Sequence, residues 1–224
     1  MGYVSLSKTN RLFWLGRYSE RVYTTIAYMI QRYDELIDSS ELFDYTSYCV
    51  RLGIPCIYSD VEDFCRRYLF DKGDGNSIIT SADHMLGNGM TLRETIHSTT
   101  LAYLQMACTA VELANTSSSP CVELQWALDD IMAFRGSFDD TVDDEETRNI
   151  TKCGAALERL NLYLRFSYPR DTVHRQLCRL VNRLYKTSLT TRPEALAVLT
   201  DCLHGSGEID EKTLLNGVET LFIL

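Results

Sequence analysis

Apolar side chains recur along this chain at steps of three, four and seven, and no stretch sustains the period-two alternation of a half-buried strand. From Lys8 to Asp38, Leu12, Leu15, Val22, Ile26, Met29, Tyr33 and Leu36 form one stripe, which predicts an amphipathic helix of unusual length. Further helices are expected over 42–52, 60–70, 91–114, 122–138, 143–166, 171–185, 194–203 and 210–222. Two starts carry the order of a capping box, Ser59 with Glu62 and Thr91 with Glu94, and Pro193 sits where a first helical turn tolerates proline. Asp71 to Asn76 reads as a loop, Asn115 to Pro120 as a linker, and His204-Gly205-Ser206-Gly207 as a stop. The expected fold is all-α, a duplicated multi-helix bundle with long antiparallel helices and pseudo-twofold related halves. A single domain over 1–224 is expected, its halves, about 1–115 and 121–224, packed together.

The duplication rests on a phrase that occurs twice. Gly16-Arg17-Tyr18-Ser19-Glu20-Arg21 and Gly154-Ala155-Ala156-Leu157-Glu158-Arg159 both read G-x-x-x-E-R inside helical sequence. Thr9 aligns with Thr147, Leu12 with Ile150, Val22 with Leu160 and Ile26 with Leu164. A mid-helix glycine costs about 1 kcal/mol relative to alanine, so two of them at matching positions call for a packing or functional reason. Neighbouring helical residues point about 100° apart, so each Glu must find its partner outside its own dipeptide. A twofold arrangement would pair Glu20 with Arg159 and Glu158 with Arg21. As structure, these are buried ion pairs that fix helix register. As function, two carboxylates and two guanidiniums line a cavity for a carboxylate, amine or peptide terminus, with a glutamate as acid or base.

Composition narrows the partners. A formal charge of −9 argues against general nucleic-acid binding, and no run is long and apolar enough for a membrane span. With no signal-peptide order at the start, the chain reads as cytoplasmic. Eight cysteines contain no C-x-x-C pair, so scattered small hydrophobes are the expectation, and no metal or other cofactor is implied. The acidic run 139–146 reads as a solvated helix entry, although magnesium or calcium is the alternative. An EF-hand loop from Asp71 would need Glu where Ala82 stands. His174 and Cys178 share a helical face, but no oxyanion donor accompanies them in sequence.

Asn10 through Arg21, with Trp14-Leu15-Gly16-Arg17 at its centre, resembles the N-terminal signature of the alpha-E family, a helical domain named for its Glu-Arg motif. Gly154 through Arg165 resembles the second signature, and Leu92-Arg93-Glu94 the family's internal element, which makes Arg93 and Glu94 secondary site candidates. The second motif departs from the pattern: Ala155 stands opposite Arg17, and Lys152 opposite Trp14. The resemblance implies a peptide synthesis or modification system, with an ATP-grasp-type ligase and a transglutaminase-like protein as partners and a peptide as possible cargo. The expected role is a non-catalytic accessory or scaffold beside such enzymes; the alternatives are an enzyme of peptide or amide modification using Glu20 or Glu158 as acid or base with Arg21 or Arg159 as clamp, and a purely structural helical homodimer module.

Overall fold

Ten helices make up nearly all the regular structure among the described residues. The computed structural model describes residues 5–38, 43–204 and 210–223, with backbone alone over 33–38. The helices are α1 (Leu6–Asp38), α2 (Tyr45–Leu52), α3 (Val61–Phe70), α4 (Ile78–Thr91), α5 (Ser98–Ala114), α6 (Pro120–Thr141), α7 (Glu145–Arg165), α8 (Arg170–Leu184), α9 (Pro193–His204) and α10 (Glu211–Thr220). The only extended pairing among these residues is one antiparallel bridge between Thr191 and Phe222. The fold is all-α. The expected side chains of Tyr33 and Leu36, the helix start at Leu42 and the stop at 205–207 lie outside what is described.

Contacts divide the chain into two compact units, Met1–Glu20 with Asp144–Leu224, and Arg21–Asp143. This is not the division expected at 115–120. That segment is a turn inside the second unit, and the two helices it joins, α5 and α6, pack against each other more extensively than any other pair. A Ser- and Pro-rich stretch signals a loop, and here the apolar faces of the flanking helices close on one another across it. The cut between the units instead falls inside the continuous helix α1, where no composition change marks it.

The first unit packs the N-terminal part of α1 with α7, α8, α9 and α10. Leu12, Phe13, Leu15, Ile150, Leu160, Leu177, Leu180, Leu199 and Leu214 are fully buried there. Phe13 meets Phe222 edge-on, with ring centroids 4.8 Å apart. Helix α7 starts on Asp144, whose carboxylate accepts the Thr147 N–H at 2.8 Å. Thr147 holds the Asp144 carboxyl below its ordinary 3.8, through its hydroxyl and its backbone N–H; of the two, the N–H makes the well-formed bond. A depressed carboxyl pKa adds stability that is complete above the ordinary value and lost as pH falls through the folded one. Asp144→Ala should therefore lower unfolding stability by about 1 kcal/mol at neutral pH. The gap from the parent should shrink below the ordinary carboxylate range in pH-dependent urea titrations.

The second unit corrects one further expectation. Thr91-Leu92-Arg93-Glu94 does not open a helix: α4 ends there, the Thr91 hydroxyl donates back to the Gly87 carbonyl at 2.9 Å, and α5 begins seven residues later at Ser98. Helix α4 itself is unannounced by the expected elements, although Ser77 caps it by accepting from the Thr80 N–H at 3.2 Å. The Ser59 capping box shifts by one residue, with Asp60 accepting from the Asp63 N–H and the Ser59 N–H donating to Asp63. Phe64 centres an aromatic cluster with Tyr48, Tyr58 and Tyr68, centroids 5.1–5.4 Å away. The 71–76 loop is closed by its own acids: Asp71 accepts from the Gly73 N–H, and Asp74 from the Asn76 N–H and the Tyr58 hydroxyl.

Candidate functional site

The two repeated glycines meet in the first unit, where α1 crosses α7. A Cβ placed on Gly16 would lie 2.0 Å from the Thr151 carbonyl oxygen and 3.0 Å from the Ala155 nitrogen. One placed on Gly154 would lie 2.1 Å from the Phe13 carbonyl oxygen and 3.3 Å from the Arg17 nitrogen. Thr151 and Phe13 each stand three residues before the opposing glycine, and Ala155 and Arg17 one residue after it, so the contact is reciprocal. Backbone touches backbone at both points. Only a residue without a Cβ permits this approach, and that is the packing reason for glycine in mid-helix.

One turn after each glycine the chain buries a carboxylate. Glu20 is 0% exposed and Glu158 1%. Arg159 reaches across to Glu20 with a two-pronged grip, Nε to Oε1 at 2.7 Å and Nη2 to Oε2 at 2.6 Å. Arg17 reaches the other way, placing Nε at 2.7 Å and Nη2 at 2.6 Å from Oε2 of Glu158. Both acids are thus gripped by guanidiniums from the opposite helix. The arginines keep some solvent contact, 17% for Arg17 and 25% for Arg159, so each long side chain seals an acid and leaves part of itself in water. Trp14 lies under the Arg17 guanidinium, 4.7 Å from ring centroid to carbon, and Tyr18 packs on Trp14 at 5.4 Å.

The geometry gives these groups a clear physical task. A buried carboxylate without a partner is costly, and a forked guanidinium supplies both opposite charge and directed hydrogen bonds. Each pair therefore ties α1 to α7 at a defined register, with the glycines setting how near the helices come. Around them the Ser19 hydroxyl donates to the Gly16 carbonyl at 2.9 Å. Farther along α7, Arg165 donates to Asn161 at 2.6 Å and pairs with Glu219 of α10. Near its start, Arg183 of α8 donates to buried Asn149 at 2.8 Å.

Of the expected site residues, Gly16, Arg17, Glu20, Gly154, Glu158 and Arg159 come together at this crossing. Arg17 is expected in the polar centre, through its place beside Gly16 in the first motif, but its grip on Glu158 was not foreseen by the twofold pairing. The Asn161 and Arg165 pair was also missed, although its spacing of four on one helix face could have shown it. Arg21 belongs to the second unit, where its charge acts on the Tyr68 hydroxyl, a group that burial pushes up to about 12. Arg93 and Glu94 are exposed on the turn between α4 and α5, 3.6 Å from each other. Among the described residues, no three His, Cys, Asp or Glu side chains gather as metal ligands.

Comparison with known families accords with this motif. The sequence model of alpha-E, described as a predicted alpha-helical domain with a conserved ER motif, matches residues 6–177. The chain belongs to the alpha-E family. That match contains both Glu-Arg motifs of the crossing and α1 through most of α8. No curated protein and no solved structure matches the chain. In this alpha-E chain, the acids of the two ER motifs are buried and ion-paired where two helices touch through glycine. Among the described residues, no helix is long and apolar enough to cross a membrane.

Proposed function

We propose that this alpha-E protein is a non-catalytic accessory or scaffold of a peptide synthesis or modification system, working in the cytoplasm beside an ATP-grasp-type ligase and a transglutaminase-like protein. The observation that carries the non-catalytic part is the state of Glu20 and Glu158. Both carboxylates are closed to solvent and bound by guanidiniums, so neither is presented to a substrate as acid, base or clamp. A general acid or base must come within hydrogen-bond reach of the proton it moves, and these are occupied by Arg159 and Arg17. The partner classes follow from the family resemblance.

Reconstitution tests the reading. The protein is mixed with an ATP-grasp-type ligase and a transglutaminase-like protein of the same organism, and complexes are measured by size-exclusion chromatography with light scattering. The expected results are a stoichiometric complex and no peptide-amide turnover by the protein alone. Turnover by the isolated protein that Glu20→Gln abolishes, with helical content unchanged, would overturn the reading; so would failure of both candidates to bind.

A further inference from the structure

We propose that Cys178 on α8 is a nucleophilic thiol, activated by His174, that takes a carboxylate-bearing small disulfide by thiol–disulfide exchange. The two residues sit one helical turn apart, with Sγ 3.7 Å from Nδ1 of His174. On its other side the ring places Nε2 3.5 Å from the backbone carbonyl of Leu203, at the end of α9. A carbonyl can only accept, so that contact is a hydrogen bond in the tautomer with its proton on Nε2. Nδ1 then carries the lone pair, and it faces the thiol. The thiol, the base and a group that orients the base are therefore in line, which is the arrangement that activates a weak nucleophile.

A second observation indicates the charge of the reactant. Arg175 and Arg179, which flank Cys178 on the same helix, are held by neutral groups: Arg175 donates to the Thr172 hydroxyl at 2.8 Å and Arg179 to the Gln176 side-chain amide oxygen Oε1 at 3.4 Å. Among the described residues neither guanidinium forms an ion pair with a carboxylate, and the half-exposed thiol lies on the same helix between them. Such guanidiniums draw anions. Of the other cysteines, Cys49, Cys108 and Cys153 are buried, and burial raises their thiols to about 12. Cys56 is exposed and stands as the internal control.

The step balances without a further oxidant. The Cys178 S–H proton passes to Nδ1 of His174, and the thiolate attacks one sulfur of the disulfide. A new S–S bond forms as the old one breaks, and the departing thiolate recovers the proton from the imidazolium. The products are a mixed disulfide on Cys178 and one equivalent of free thiol, and a second thiol reverses the reaction.

The reduced full-length chain is mixed with oxidised glutathione, and occupancy of each cysteine is followed by peptide mass spectrometry. Cys178 is expected to load about tenfold faster than Cys56 despite its lower exposure, and His174→Gln or His174→Asn should bring the two rates together. Circular dichroism confirms that these surface variants keep their helices. The Arg175→Gln/Arg179→Gln variant should lose several-fold in rate with oxidised glutathione relative to uncharged hydroxyethyl disulfide, about the effect of removing two nearby charges. Equal loading of Cys178 and Cys56 in the parent, or an unchanged Cys178 rate in both histidine variants, would overturn the activated pair. An unchanged preference between the two disulfides in the arginine variant would overturn the anionic reactant.

Discussion

Gly16→Ala should destabilise the protein by about 3 kcal/mol or more, at or above the top of the usual range for overpacking, because the added methyl meets a backbone carbonyl that no rotamer change can move. Its Cβ would stand 2.0 Å from the Thr151 oxygen, so α1 and α7 must separate or the helices must distort. Helix propensity alone predicts the opposite sign, a gain of about 1 kcal/mol. Gly154→Ala meets the Phe13 oxygen at 2.1 Å and should lose as much. Gly136 in α6 and Gly87 in α4 have nothing within 4 Å of the same point, so alanine there should stabilise by about 0.5–1 kcal/mol. Urea unfolding of the four variants decides the matter by sign. Losses at 16 and 154 with gains at 87 and 136 are the expected result.

Glu20→Gln should cost about 3–5 kcal/mol, since it removes the charge that faces Arg159 and leaves that guanidinium partly buried beside a neutral amide. Glu158→Gln should act in the same direction through Arg17. Its cost should be smaller, because Arg17 also lies over Trp14 and sets both its Nε and its Nη2 against the single oxygen Oε2. Both effects should show as lower thermal midpoints in calorimetry, with no compensating change in any bound group. An intact midpoint in Glu20→Gln would mean that the carboxylate is not a structural partner.

The sequence carried the helices well where an apolar stripe was long. Helix α1 was legible because seven apolar positions kept its phase. Helix α4 was not: Gly87, Asn88 and Gly89 look like a breaker, and Thr91 with Glu94 imitates a helix start. Gly89 in fact packs tightly, with the Leu104 side chain 2.6 Å from where a Cβ would stand, so its glycine serves helix contact. At the site, the repeated spacing foretold that each glutamate would look to another helix. What spacing could not supply was the crossing geometry, which lets Arg17, three residues before Glu20, reach Glu158. The reciprocity of the glycines is local to that crossing, and the division into units follows tertiary packing within a continuous helix.

The central claim, that the Glu-Arg pairs are latches between α1 and α7, is tested most directly by a double-mutant cycle on Glu20 and Arg159. Unfolding free energies are measured for the parent, Glu20→Gln, Arg159→Met and the double variant. A coupling energy of about 2–3 kcal/mol, with the double variant more stable than the sum of the single losses predicts, is the expected result. Additive losses, with coupling within about 0.5 kcal/mol of zero, would contradict it.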